Sequence, residues 1–442
     1  MRKDDLKAAF RLLSSPKVSG VVFTTSRLLM ARMGYAVAVL FSSTLAARFL
    51  GVEDFGRLSL AQTLLTVLSP LVFFGLQPIV STALVTKPDS LLVWTAIRFQ
   101  VSVAFILVLG VAVAMLYLGG IFGLPFWLVM VVLLGLFTLP FDMIEGFFLA
   151  KECPEREAYS RLGARICLVG CQLGVGFGGG GLALFALLVL FEKIIQAGLH
   201  LWQGMKVGFR IEPSAYDADL LKRVLRRSWP LLLSSLSIVA FSRLGELALG
   251  ILMSPAAVAQ FAVASRLAEA LAMLPTALVA VLVPWLVRSH DKEGFFDVLD
   301  RVLSIVIYLS AASAIGLYLL APYIVKILFG EGFEDAVTPL RLLVWNVILI
   351  GSGLVRGRFQ VLENDTVHVL VQTSLGFALG VILNCFLIPS HGILGAAIAV
   401  LGARVFLSYG TTLIFPSQWT FLMSFHRAIV LPAVLTLRFL RR

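Results

Sequence analysis

Twelve long apolar segments run the length of this chain, and the basic residues of the connectors between them fall on alternate sides. A run of about 20 apolar residues crosses the hydrocarbon core of a bilayer as a helix, because in lipid the segment must satisfy its own backbone polar groups. Such runs lie near 22–48, 57–84, 99–119, 124–150, 158–177, 181–205, 229–252, 255–287, 302–328, 336–355, 366–388 and 392–415. The chain is 59% hydrophobic and only 14% charged, too little polar surface for a water-soluble globule. The pattern therefore specifies an all-α polytopic membrane protein.

The connectors give an orientation. One set, with its flanks and both tails, carries 25 basic residues. They are Arg2, Lys3, Lys7, Arg11 and Lys17 in the N-terminal tail, Lys87 and Arg98 at the second connector, and Lys151, Arg156 and Arg161 at the fourth. The sixth holds Lys206, Arg210, Lys222, Arg223, Arg226 and Arg227, the eighth Arg288, Lys292 and Arg301, and the tenth Arg356 and Arg358. Arg427, Arg438, Arg441 and Arg442 close the C-terminal tail. The opposite connectors hold none, although Arg48, Arg57, Lys326 and Arg341 flank them. By the positive-inside rule both termini are cytoplasmic. The net charge of +11 is thus orientation signal and attraction to anionic headgroups, and requires no nucleic acid.

The long connector at 206–228 separates two six-helix halves, 22–205 and 229–415, flanked by a cytoplasmic tail over 1–21 and a basic tail over 416–442. Asp4 to Leu13 suits a short amphipathic helix, and the apolar run from Ala428 to Leu437 an interfacial one. The halves carry related text at an offset of 203 residues, Phe55 to Ala61 lying over Val258 to Ala264. Six spans per half return the chain to the same side, so the repeat is parallel, with a central cavity expected between the halves. The four cysteines form neither a disulfide framework nor a zinc pattern, and no cofactor or metal is expected. The outward connectors are too short for the acid and base groups that a membrane polysaccharide polymerase or ligase would carry there.

The last third carries the most specific text. A helix ending Tyr323-Ile-Val-Lys-Ile-Leu-Phe-Gly-Glu-Gly-Phe333 is followed by Asn384-Cys-Phe-Leu-Ile-Pro-Ser-His-Gly-Ile-Leu-Gly-Ala-Ala-Ile-Ala399. With Ala46 to Gly56 as a first outward turn and Ser265 to Pro284 as an eighth helix, this resembles the polysaccharide flippases of the multidrug/oligosaccharidyl-lipid/polysaccharide exporter superfamily. The resemblance implies a bacterial inner-membrane flippase, not an enzyme, moving polyprenyl-diphosphate-linked oligosaccharide by alternating access for surface polysaccharide assembly. Its substrate would be that lipid-linked oligosaccharide, its surroundings the membrane lipids and its oligomeric state a monomer. Association with polysaccharide-polymerase machinery is left open. The rivals are a multidrug-type cation antiporter, whose cavity should be acidic and aromatic, and a peptidoglycan-precursor flippase, which typically has further C-terminal helices.

Ionisable residues at span depth are costly and rarely face lipid. Arg27 and Arg32 lie in the first span, Arg243 and Glu246 in the seventh, Arg266 and Glu269 in the eighth and Arg404 in the twelfth. A guanidinium grips a diphosphate with paired hydrogen bonds and keeps its charge. Arg27, Arg32 and Arg266 are expected around the headgroup, with Arg243 and Arg404 as further substrate candidates and Asp142, Glu246 and Glu269 as ion-coupling candidates. The structural alternative is that Arg243 with Glu246, and Arg266 with Glu269, neutralise each other three residues apart on one helix face. Glu192 beside Lys193 reads as a structural pair, and Arg165 as a further buried cation. The topology has a direct test: a reporter fused after Phe415 is expected to read cytoplasmic, and a periplasmic signal would overturn the twelve-span arrangement.

Overall fold

The computed structural model describes residues 16–86, 89–118, 123–210, 216–290, 294–363, 366–414 and 418–439, and among them every regular element is helical. Among the described residues nine stretches are long and apolar enough to cross a bilayer, and two of these, Met30–Phe73 and Val371–Leu413, at 44 and 43 residues, suffice for two crossings each. Each double stretch is one kinked helix. Helix α1 (Pro16–Phe73) bends at Gly51, with φ of 74°, and helix α13 (Thr366–Val405) bends at Gly392, with φ of 58°. Both angles lie in the left-handed region that glycine enters without a Cβ penalty. The turns read from the sequence at these places are thus tight reversals rather than open loops.

The second arm of α1 ends just past Pro70, and α2 (Leu76–Thr86) continues after a break at Phe74 and Gly75, both with positive φ. Helix α3 (Ser90–Leu118) forms the third crossing. The fourth is interrupted: α4 (Phe126–Leu133) passes through 3-10 turns at Leu134–Phe137 and Leu139–Ile144, the second holding Pro140, into α5 (Glu145–Ala150). Helices α6 (Glu155–Phe177) and α7 (Leu182–Lys206) complete the first half.

The second half starts with α8 (Ala218–Leu252), whose N-cap Asp217 accepts a hydrogen bond from the Leu220 amide. Helix α9 (Pro255–Ser289) follows at once, capped by Ser254 and opened by Pro255. Next come α10 (Phe295–Phe329), α11 (Val337–Leu343), α12 (Asn346–Leu362) and α13. The tenth crossing is broken between α11 and α12, as the fourth is between α4 and α5, so the two halves share an interruption as well as related text. A short α14 (Thr411–Ile414) leads to α15 (Trp419–Phe439). The segment read as an interfacial tail is therefore helical, and Phe421, Phe425 and Ala428 pack into a core with Leu299, Leu303 and Phe359. Most of the N-terminal tail lies outside the described residues.

The cores explain how the halves meet. At the end opposite the basic connectors one apolar core joins both, with Phe55 and Leu60 against Leu249, Val258, Phe261, Phe329 and Phe333. At the basic end there are two: one in the first half around Leu76, Val93, Met143 and Phe148, the other in the second around Leu299, Leu303, Val306 and Phe359. Basic residues flanking the shared end are engaged there. Arg48 donates through Nε to the Leu328 carbonyl at 2.7 Å, capping α10, while Arg57 pairs with Glu53 and Asp54. One residue counted with the tenth connector belongs elsewhere: α12 continues to Leu362, and Arg356 is buried inside it, 4% exposed.

Close approach at the shared end depends on glycine. A Cβ on Gly56 would lie 1.8 Å from the Pro255 carbonyl oxygen, a backbone atom that no rotamer change can move. Gly56→Ala is expected to cost more than the 1–3 kcal/mol of ordinary overpacking and to lower the melting temperature of the purified protein. Gly110→Ala, where a Cβ meets open space, should be neutral or stabilising by up to about 1 kcal/mol. Equal melting of the two variants would show that this contact does not hold the halves together.

Candidate functional site

Between the shared core and the basic end lies a cavity of about 200 Å³, lined by both arms of α1 and by α6, α7, α8 and α9. Four cations line it, Arg165, Lys193, Arg243 and Arg266, against three carboxylates, Glu192, Glu246 and Glu269. The rest of the wall is half hydroxyl and amide, including Ser42, Ser59, Gln62 and Thr63, and half apolar.

Each half settles its own charges. Arg165 of α6 reaches Glu192 of α7 at 2.8 Å, with Glu192 only 2% exposed, and its guanidinium also lies 5.6 Å from the Tyr35 ring centre. Glu192 thus pairs with Arg165 and not with its neighbour Lys193. In the second half Arg243 bridges two acids, Glu246 at 3.3 Å and Glu269 at 3.1 Å. The Arg266–Glu269 pair that the spacing allows does not form, because Glu269 turns to α8 and Arg266 turns across the cavity. Spacing along one helix cannot reveal a better partner on the next.

Arg266 makes no ion pair among the described residues. Its Nη2 donates to Ser59 Oγ and Gln62 Oε1, each at 3.2 Å, and its guanidinium stacks 4.9 Å from the centre of Phe55. These acceptors belong to the other half, so Arg266 links the two, as does the hydrogen bond from the Thr63 hydroxyl to Glu246. A second cavity of about 250 Å³ meets the first at Val39, Arg266 and Glu269. It lies between the first arm of α1 and α9, and its other walls are Tyr35, Ala36, Leu40, Ala270 and Met273. A charged chamber and a mainly apolar slot thus share one arginine and one glutamate.

Of the expected site residues, Arg243, Arg266, Glu246 and Glu269 come together here, and the others lie apart. Arg27 and Arg32 sit on the first turns of α1 with exposed side chains, Arg32 standing 4.0 Å from Glu157. Asp142 is buried in the interrupted fourth crossing, 3.1 Å from His200 Nδ1, 3.1 Å from Gln196 Nε2 and 3.8 Å from Arg161. Arg404 lines a different cavity in the second half. Among the described residues no cluster of His, Cys, Asp and Glu could hold a metal ion.

Residues 45–338, which carry most of this chamber, match the family described as polysaccharide biosynthesis protein. The chain belongs to that family. Among solved structures, the lipid II flippase MurJ in an inward closed conformation superposes with a TM-score of 0.75 at 13% identity, over 94% of this chain and 93% of that one. An inward-facing multidrug resistance MATE family transporter of the MOP superfamily gives 0.55 at 16%, over 88% and 94%. The Vibrio cholerae MATE transporter VcmN in the bent form gives 0.59 at 12%, over 93% and 98%. These likenesses establish the fold, that of a multi-pass helical membrane protein. No curated protein sequence matches the chain.

The two kinds of arginine separate by experiment. Arg165→Gln strands Glu192 as a buried unpaired charge, at a cost of about 3–5 kcal/mol, so membrane abundance should fall sharply and recover in the double variant with Glu192→Gln. Arg266→Gln, which breaks no ion pair, should leave abundance near wild type. Matching losses in both single variants, measured by quantitative immunoblot of membranes, would place Arg266 among the structural residues.

Proposed function

We propose that this protein is a flippase that carries polyprenyl-diphosphate-linked oligosaccharide across the bacterial cytoplasmic membrane, both termini facing the cytoplasm, without covalent chemistry. The observation that carries the reading is the junction at Arg266, where the polar chamber opens onto the slot between α1 and α9. An amphiphile of that kind needs such a junction: its sugars and diphosphate belong in the chamber while its hydrocarbon tail stays in the membrane beyond the slot. The boundary carries Arg266, a cation that makes no ion pair among the described residues and is suited to a diphosphate, beside Glu269, which is held by Arg243. The excess of cations over carboxylates disfavours a cationic drug as cargo.

Movement follows from the same contacts. With one shared core and two separate ones, the halves can rock about the joined end and part at the basic end. Arg266 holds Ser59 and Gln62 of the opposite half. A diphosphate that takes this guanidinium removes a link between the halves, so the headgroup and the link compete for one side chain, and the cargo's own charge shifts the conformational balance toward separation.

The test measures surface polysaccharide and inner-leaflet lipid-linked oligosaccharide in cells carrying Arg266 variants at matched membrane levels. Loss of a charge-assisted contact worth about 1.5–3 kcal/mol lowers affinity roughly ten- to a hundredfold. Arg266→Ala should therefore stop export and accumulate the precursor inside, and Arg266→Lys should restore it only in part. Normal export in Arg266→Ala at normal abundance would overturn the assignment. Accumulation of a peptidoglycan precursor in place of an oligosaccharide intermediate would reassign the cargo.

A further inference from the structure

Two arginines, Arg356 buried and Arg404 half-buried, take no part in the central chamber, and both line one cavity of about 220 Å³ inside the second half, between α12 and the two arms of α13. They are Arg356 and Arg404, accompanied by Gln360, Gln372 and Thr373, and no carboxylate lines the space. Neither arginine ion-pairs among the described residues.

Part of Arg356 has a structural task. The chain makes a π-helical turn at Phe406–Gly410, and Arg356 Nη1 donates to the Leu407 and Ser408 carbonyls at 2.9 and 3.0 Å and to Thr412 Oγ1 at 3.1 Å. All three bonds use one nitrogen, and no hydrogen bond among the described residues uses Nε or Nη2. The Arg404 guanidinium lies 5.0 Å from the Phe241 ring centre, and its Nε is buried without a partner. The Gln372 Nε2 is likewise buried and unpartnered, while its Oε1 accepts from Gln360 at 3.1 Å.

The buried unpartnered atoms of this lining, Arg404 Nε and Gln372 Nε2, are both donors, and two of the lining side chains are cationic. A buried cation without a counter-charge is expensive, and an oxyanion with several acceptor oxygens would satisfy the arginines and Gln372 together. We propose that this cavity is a second anion site, separate from the central chamber, that takes a phosphate group. Leu349, Ile350, Leu354 and Leu407 form its remaining wall, and Leu354 is exposed at its edge, which suits the headgroup of an anionic lipid entering with its chains along the apolar side.

The full-length protein in phosphatidylcholine nanodiscs, titrated with phosphatidylglycerol and read by native mass spectrometry, tests the site. Wild type should retain phosphatidylglycerol in preference to phosphatidylcholine, Arg404→Gln and Gln372→Leu should each retain it about tenfold less well, and Arg358→Gln should behave as wild type, since that side chain is exposed on the same helix outside the cavity. Thermal unfolding in phosphatidylcholine alone shows whether each variant is folded. Arg356→Gln, which also releases the π-turn carbonyls, is the less informative variant. In the same discs without phosphatidylglycerol, inorganic phosphate that stabilises wild type but not Arg404→Gln would support the site with a soluble ligand as its source. Equal phosphatidylglycerol retention by wild type and a folded Arg404→Gln, with no stabilisation of either by phosphate, would overturn the proposal.

Discussion

The architecture depends on how closely two backbones can approach at one end of the molecule. In lipid, apolar side chains gain little by leaving hydrocarbon for other hydrocarbon, so helices are held by packing and small residues set how tight that packing is. Gly56 against the Pro255 carbonyl and Gly250 against Leu60 supply that closeness between the halves, and Gly395 against the Leu387 carbonyl supplies it within the second. With the largest apolar core joining the halves there, the chamber is a consequence: it is the space left where the backbones diverge.

The polar groups in that space follow a rule with mechanical meaning. Ion pairs stay within a half, Arg165 with Glu192 in the first and Arg243 with Glu246 and Glu269 in the second, whereas the bonds that cross between halves are hydrogen bonds from Arg266 and Thr63. Buried pairs broken at each conformational change would charge their desolvation penalty on every cycle. Hydrogen bonds to hydroxyls and amides can be exchanged at smaller cost.

Much of this was legible in the sequence because a bilayer imposes a length, an apolar composition and a charge asymmetry on each crossing. The crossing segments, the tight turn at Gly392 and the small run Gly395, Ala396 and Ala397 follow from those demands. What stayed hidden depends on neighbours distant in the chain. The Arg243–Glu269 pair lies between helices, where heptad or i,i+3 arithmetic is silent, and so does Arg165–Glu192. Arg27 and Arg32 share a helix with chamber residues but lie on its early turns, and one-dimensional depth does not tell which way a side chain faces. Arg356 was read as a connector residue because a basic residue near a span end has two solutions, snorkelling to the surface or inward capping, and only the π-turn opposite it decides. The interruption of the fourth crossing had a visible cause in Pro140, that of the tenth no such marker.

The segment between the halves has a further consequence. Its anchor is in the first half, where the Trp94 indole donates to the Arg210 carbonyl at 2.8 Å, the Asp217 amide bonds Thr95 Oγ1 at 3.2 Å, and Leu220, Val224 and Leu225 lie on the first half's inner core. The same helix, α8, then runs on to carry Arg243 and Glu246 in the second half. A single helix thus packs at one end against each half, so the proposed parting of the halves at the basic end would flex it. Pro230, which cannot donate to the preceding turn, is its most compliant point. In that proposed movement α8 would act as a leaf spring, setting a restoring force and a limit of travel that a slack tether would lack.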